Sequence, residues 1–397
     1  MPAVMTPAEA DGVIAARLGL LPAEPCALER ATGRVLREAV VADLDQPPFD
    51  RVAMDGIAFA HAALEGGVRT FPIEGVLGAG APPRALAAPD GCIEVMTGAV
   101  LPPGTDTVVP VEDITVENGR AVLGPRASPS RYDNVHRRAS DAPAGKQLLA
   151  PGARLRGPEL AIAASVGSTL LLVNREPRIA VISTGDELVP PGSRPAAWQV
   201  RRSNAYGVAA TLRGRGYTEL ADAHVGDDPR AIRAVLEEHL ASHDVLVLSG
   251  GVSAGRFDYV PAALAELGVD RAIHNIAQRP GRPLWFGTRA DGRAVFALPG
   301  NPVSTLVCLV RYVLPALERL AGAMPTPPAL APLSVAWAWK HGLTAFLPVD
   351  RRADGLLTPH PTHGSGDFSA LAGTTGFVEL APGRRWEPGN LAPLYTW

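Results

Sequence analysis

The sequence predicts a multidomain α/β and β protein. At its centre is a three-layer α/β/α domain with a mostly parallel sheet, flanked by a small β domain near the N-terminus and a C-terminal β-barrel. Three observations lead there. The run "VLVLS" (245–249) is continuously apolar, as a strand buried on both faces of a parallel sheet must be. From residue 177, strand-like runs alternate with helical segments, the pattern of βαβ units. From about 57 to 140, and again over the last stretch of the chain, short alternating runs are broken by Gly and Pro clusters, the texture of small β domains.

At 397 residues the chain exceeds a single core. The expected division is an elongated linker domain (1–45 plus 141–176), a small mostly β domain (46–140), the α/β/α domain (177–322) and the C-terminal barrel (323–397). Thr6 with Glu9 forms a capping box and Pro7 suits a first helical turn, so a helix starts there. "GRVLREAVVADLD" reads as strand-like, and "PGARLRGPELAIAASVGSTLLLV" as helical then extended, packing back on the N-terminal helix. In "SNAYGVAATLRGRG", Ser203 or Asn204 is an N-cap and Gly214 or Gly216 a stop. "DDPRAIRAVLEEHLASH" carries Asp and Pro where a helix dipole favours them. "RAVFALPGNPVSTLVCLVRYVLPALERLAG" gives a strand, a turn and a long helix, and "AMPTPPALAPL" (323–333) a proline-rich linker.

Composition excludes several classes. The net charge of −3 carries no bias toward nucleic acid or another polyanion. Cys26, Cys92 and Cys308 have no ligand-like spacing, which argues against a disulfide framework or a cysteine zinc site. No apolar run approaches membrane-spanning length and the N-terminus lacks the layout of a signal peptide, so a cytoplasmic location is expected. Only Lys146 and Lys340 are lysines, and arginine takes the other basic positions.

Three loops leave the sheet at its carboxyl edge: "STGDEL" (183–188), "SGGVSAGRFDY" (249–259) and "LPGNPVS" (298–304). Ligands of open parallel sheets bind at these strand ends. Small residues open space there, and hydroxyls and free N–H groups bind oxyanions. Asp186, Glu187 and Asp258 could share a divalent cation bridging phosphate oxygens. Asp186 and Asp258 equally suit helix caps, Pro299 and Pro302 equally stiffen a turn, and "SGGVS" equally suits a tight strand-to-helix turn. No P-loop and no G-x-G-x-x-G is present. Arg279 and Arg282 flank a Pro-Gly turn that aims both guanidiniums one way, with Arg201, Arg202 and Arg256 adding positive charge for an anionic ligand. Outside this domain, Asp50, Asp55, Thr97, Asp106, Arg137, Arg138 and Asp141 lie in loops that read equally as plain β-turns.

"PPFDRVAMDGIA", "MTGAVLPPGTDTVVPVED", "STGDEL", "DDP", "SGGVSAGRFDY", "RPGRP" and "LPGNPVS" occur in one order across almost the whole chain. Together they resemble the molybdopterin molybdenumtransferase family, related to the C-terminal part of gephyrin. The resemblance implies an elongated homodimer of four-domain subunits whose active site is shared between subunits. The implied activity inserts molybdenum from molybdate into adenylylated molybdopterin, releasing AMP and the molybdenum cofactor, with a divalent cation such as Mg²⁺. By motif match, Glu187, Asp227, Asp228 and Asp258 are the implied acidic, metal-holding cluster. Asp55, Thr97 and Asp141 join Glu187 and Asp258 as implied catalytic positions. Ser183, Thr184, Ser249, Gly250, Gly251, Pro299 and Pro302 line the implied substrate edge. Molybdate falls to Ser253, Arg279, Arg282 and Ser304, with Ser365 of "GSGDFSAL" contributed by the last domain. The adenylyltransferase that makes the activated pterin and acceptor molybdoenzymes are the implied partners; nucleic acid and membrane are not.

Three positions depart from the family pattern. Leu343 stands where a molybdate-binding arginine is expected, Asn275 where a lysine is frequent, and Ile57 replaces a usual tyrosine. Leu343 and Asn275 bear on molybdate affinity rather than on fold. Two rival functions follow: a pterin-nucleotide carrier or scaffold with weakened turnover, or the adenylyltransferase itself, whose family lacks the flanking domains.

Overall fold

The computed structural model describes residues 4–251, 259–339 and 341–397. The chain divides into two compact units: Met1–Arg37, Pro151–Arg156 and Leu170–Trp397 form one, Glu38–Ala150 and Gly157–Thr169 the other.

The larger unit holds a six-stranded sheet in the order Leu220–Val225, Ile179–Thr184, Val245–Ser249, Ala294–Leu298, Trp285–Arg289, Val269–His274. The first four strands are parallel neighbours and the last two are antiparallel. The antiparallel end has a local cause. Only residues 290–293 separate two of its strands, and a parallel pair needs a crossover of a dozen or more. Successive strand residues alternate between two cores, as the two-residue pleat requires. Ile179, Val181, Val245 and Val247 face one core with Val208, Leu212, Val303 and Val307 of the covering helices. Ala180, Ile182, Leu246 and Leu248 face the other, with Ile232, Leu236 and Leu240 of the helix Pro229–Ser242. Helices on both faces make the three layers.

Helix ends follow the sequence signals. Thr6 and Glu9 form the capping box with Pro7 inside the first turn of Pro7–Arg17. Ser203 occupies the N-cap position of Asn204–Gly214 without a side-chain bond to the helix, which leaves Asn204 free for another task. The expected long helix is three segments, Pro302–Cys308, Leu309–Val313 and Leu314–Leu320, the middle one a π-helix. From that middle segment the buried Arg311 makes two parallel bonds to Asp11 (2.7 and 2.9 Å) and one to Glu379 (2.8 Å). It thereby joins the N-terminal helix, the long helix and the C-terminal strands.

Those C-terminal strands form a sheet in the order Gln278–Arg279, Thr344–Arg351, Gly376–Leu380, Leu391–Thr396, Ala329–Pro332, with Leu357–Pro359 beside Thr344–Arg351. Part of the expected proline-rich linker is thus the edge strand Ala329–Pro332, where prolines are tolerated because one side needs no donors. The extended piece Leu170–Asn174 pairs antiparallel with Ala23–Ala27. In the smaller unit six strands run Thr107–Pro110, Gly56–Phe59, Cys92–Val95, Thr70–Leu77, Arg120–Leu123, Ile114–Glu117. No helix among the described residues is long and apolar enough to cross a membrane.

Candidate functional site

Three parallel strands of the larger unit end side by side in Ser183-Thr184, in Ser249-Gly250-Gly251 and in Pro299-Gly300-Asn301. Both middle glycines have positive φ, +98° and +68°, and a Cβ on either would lie 2.9 Å from the Thr184 hydroxyl. The abrupt change from aliphatic to small residues is therefore demanded first by the neighbouring strand end. Asn204 spans two of the three ends: its Nδ2 donates to Ser249 Oγ at 2.8 Å and to the Gly300 carbonyl at 2.7 Å. Ser183 Oγ, Thr184 Oγ1 and Asn204 Oδ1 are buried without a hydrogen-bond partner among the described residues. Buried orphans of this kind mark a place where water or a ligand completes the structure. The sequence marks Asn204 only as a candidate cap; its place one residue past the cap, facing two sheet loops, is what gives it this further role.

The carboxylates at this edge are less convergent than expected. Asp186 Oδ1 accepts from the Asp227 N–H at 3.1 Å, and Asp227 Oδ2 from the Asp186 N–H at 3.4 Å, so the two loops brace each other. Asp228, expected among the metal ligands, caps Pro229–Ser242 through one oxygen: its Oδ1 accepts from the N–H groups of Arg230 and Ala231 at 3.1 and 2.8 Å. An aspartate just before a proline-started helix faces the free donors of its first turn, which is why it caps there. Glu187 is exposed. Ser253 and Asp258 lie outside the described residues, as does Arg256. Among the described residues no three His, Cys, Asp or Glu side chains converge to hold a metal ion. By themselves they do not fit a divalent cation.

Beside the third loop lies a cleft of about 530 Å³ in the same unit. Arg279, Arg282, Pro299 and Ser304 line it from the α/β side, His341, His363 and Ser365 from the C-terminal strands and their loops. Among the described residues neither the Arg279 nor the Arg282 guanidinium makes an ion pair or hydrogen bond, and both residues are exposed. Two free guanidiniums on one turn are anion receptors in search of a partner. Ser365 is held by the third loop: Asn301 Nδ2 donates to its hydroxyl at 2.8 Å, and its carbonyl accepts from the Val303 N–H at 3.1 Å. Pro302 sits in the first turn of the following helix. Arg202 is not free, since it forms a double contact with Asp222 at 2.6 and 3.0 Å. Leu343 does not line the cleft, and its carbonyl accepts from Trp339 Nε1 at 2.5 Å. The two histidines were absent from the sequence reading, because residues far apart in the chain meet here only through strand pairing.

In the smaller unit, strand register places Gly56 opposite Val95, so Asp55, just before one strand, meets Thr97, just after the other. Asp55 Oδ1 accepts from the Thr97 N–H at 2.6 Å and the Thr97 hydroxyl at 2.7 Å. These bonds stabilise the anion and hold the Asp55 carboxyl below its ordinary range. Asp141 Oδ1 contacts His136 Nε2 at 2.7 Å, and His136 Nδ1 contacts Arg51 Nη2 at 2.9 Å. A guanidinium only donates, so Nδ1 accepts and Nε2 carries the hydrogen toward Asp141. The Asp141 carboxyl is likewise held low, chiefly by His136. Asp50 and Asp106 serve turns instead, accepting from the N–H groups of Arg138 and His61 at 2.7 Å each.

Residues 5–167 match the MoeA N-terminal region (domain I and II), and residues 180–319 match a probable molybdopterin binding domain. The molybdopterin molybdenumtransferase of Synechocystis sp. is 41% identical over 373 residues, covering 92% of this chain and 93% of that protein. The Bacillus subtilis molybdopterin molybdenumtransferase is 31% identical over 378 residues, covering 92% and 87%. A molybdopterin biosynthesis protein from Pyrococcus horikoshii has a TM-score of 0.79 at 28% identity over 99% of both chains. A second structure from that organism reaches 0.85 at 23% identity over the whole of both, which speaks for the fold alone. On its likeness to these relatives along nearly its whole length, the chain belongs to the molybdopterin molybdenumtransferase family.

Proposed function

We propose that this enzyme inserts molybdenum from molybdate into adenylylated molybdopterin, releasing AMP and the molybdenum cofactor. The observation that carries the reading is the pair of guanidiniums, Arg279 and Arg282, without a partner among the described residues, in a cleft beside the sheet edge of the molybdopterin-binding domain. Two positive charges suit the molybdate dianion, and the hydroxyls of Ser304 and Ser365 add donors. The neighbouring strand ends, with Ser183, Thr184, Ser249, Gly250, Gly251 and Asn204, suit the pterin and its phosphates. Binding both substrates on one sheet edge turns a two-molecule encounter into a positioned one. The sulfurs that receive the metal belong to the pterin, so this reading asks for no cysteine ligand; Cys26, Cys92 and Cys308 are free and buried.

The phosphoanhydride breaks when an oxygen nucleophile attacks phosphorus and AMP leaves. Asp55 and Asp141, both held ionised by their hydrogen bonds, orient donors around that phosphate in this reading. The dimer is twofold, and Asp55, Thr97 and Asp141 of one copy serve the sheet edge of the other. A cation such as Mg²⁺ is implied by the family resemblance alone; the described carboxylates do not converge on one, and no step of this reading is routed through it. The C-terminal strands close as a barrel in the same reading.

Purified protein given adenylylated molybdopterin, molybdate and Mg²⁺ tests this directly. AMP release coupled to cofactor formation is expected. Tight nucleotide binding without release would replace insertion with a carrier role.

A further inference from the structure

We propose that Gln278 is a positioning residue: it sets the geometry of the Arg279–Arg282 turn and through it the oxyanion affinity of the cleft. The inference rests on the cleft reading above and adds a residue to it. Gln278 is completely buried, although it directly precedes an exposed arginine. Its side-chain carbonyl accepts from the Tyr312 hydroxyl. Its amide nitrogen meets the carbonyls of Pro280 and Gly281, both at 3.2 Å, and Cys308 Sγ at 3.6 Å. Carbonyls only accept, so these contacts settle which end of the amide is nitrogen and make Tyr312 the donor.

The turn rests directly on this amide. Gly281 has φ +89°, and a Cβ there would lie 2.7 Å from Gln278 Nε2 and 2.6 Å from Cys308 Sγ. Cys308 Sγ also approaches the Gly281 carbonyl at 3.6 Å. The base of the turn is closed by backbone bonds from Ile276 N–H to the Arg282 carbonyl (2.8 Å) and from Asn275 N–H to the Leu284 carbonyl (3.0 Å). Tyr312 comes from the π-helical segment Leu309–Val313, a local widening that re-aims side chains and recurs at functional sites. An aliphatic residue of similar size would fill the space, but it would leave the Tyr312 hydroxyl and the two loop carbonyls without this partner. What an aliphatic residue cannot do is direct two loop carbonyls. A fully satisfied buried network fixes one arrangement of the turn, and with it the spacing of the two guanidiniums.

The test compares full-length Gln278→Leu, Tyr312→Phe and Arg282→Ala by molybdate titration of cofactor formation, by binding of adenylylated molybdopterin, and by thermal melting. Gln278→Leu is expected to raise the half-saturating molybdate concentration about five- to twentyfold, the scale of one or two lost directional bonds. Its maximal rate at saturating molybdate and its nucleotide affinity are expected to stay at wild-type values. Tyr312→Phe should shift the same quantity less, because the amide keeps its loop contacts while losing its anchor. Arg282→Ala checks the cleft itself: unchanged molybdate dependence there would overturn the cleft reading. If Arg282→Ala acts while Gln278→Leu and Tyr312→Phe do not, the positioning role is overturned and the cleft reading stands. Losses in Gln278→Leu spread equally over maximal rate and nucleotide affinity would also overturn it, since general packing predicts that result. Should Gln278→Leu fail to fold, the same split measured on Tyr312→Phe decides.

Discussion

Asn204 donates from one amide nitrogen to the Ser249 hydroxyl at 2.8 Å and to the Gly300 carbonyl at 2.7 Å, tying the second strand end to the third loop. Neither bond involves the arginine turn. Asn204→Ala frees both loops, and binding of adenylylated molybdopterin should weaken about tenfold, as two modest hydrogen bonds allow. Half-saturating molybdate should not move. Equilibrium binding of the nucleotide and a molybdate titration on the same protein check both halves. A shift confined to molybdate would move Asn204 to the other substrate.

Leu343→Arg should lower the molybdate concentration needed for half-maximal insertion. Parallel strand pairing sets Gln278 beside Thr344 and Arg279 beside Ala345, so residue 343 falls alongside Ala277, two residues before Arg279, and its own short side chain does not line the cleft. A guanidinium there adds charge-assisted hydrogen bonds to a dianion, each worth roughly 1.5–3 kcal/mol when desolvated. A titration curve that overlays the wild type would show that an arginine at this position points elsewhere.

The two halves of the site were legible to different degrees. Ser249, Gly250 and Gly251 declare themselves because an aliphatic strand must stop somewhere, and small residues and hydroxyls at a parallel strand end are a local signal. Arg279 and Arg282 do so because a Pro-Gly turn fixes their direction. Gln278 carries no such mark, for its meaning comes from Tyr312, a residue far along the chain in a π-helical turn that no periodicity announces. His136 is silent for a similar reason, since its tautomer is set by Arg51 across a strand pair. Asp228 was ambiguous in the opposite sense. Its place before Pro229 favours a cap on local grounds, and the motif match drew it into the acidic cluster. The structure shows the cap, formed through Oδ1.

Asp244 offers a pH test independent of activity. Burial alone would push its carboxyl up. The two hydrogen bonds from the Arg175 guanidinium (2.8 Å each), the Arg178 N–H (2.8 Å) and the two arginine charges outweigh that and hold it below the ordinary value. A carboxyl depressed in the folded state stabilises above its unfolded pKa, near 4, and loses that contribution as pH falls through the folded value. Asp244→Asn should therefore melt lower at pH 7 and show a flatter decline below pH 4 than wild type. Parallel melting curves across that range would mean the pair contributes no pH-linked stability.

The proposed dimer can be tested by mixing variants. Asp55 belongs to the smaller unit, and Asp258 follows Val245–Ser249 in sequence, outside the described residues. If each active site takes Asp55 from one copy and Asp258 from the other, homodimers of Asp55→Asn and of Asp258→Asn are both inactive. A mixed dimer of the two variants places both changes in one site and restores the other to wild type. Dual-tagged heterodimers purified after co-expression should then recover about half the wild-type activity per dimer, by the symmetry of a twofold interface. Because Thr97 holds Asp55 through two bonds to one oxygen, the asparagine variant keeps the local shape and removes chiefly the charge. Heterodimers as inactive as their parents would place both residues in the same copy's site and overturn the shared arrangement. Each variant purified with two tags on itself supplies the control, since no pairing of identical copies can rebuild an intact site.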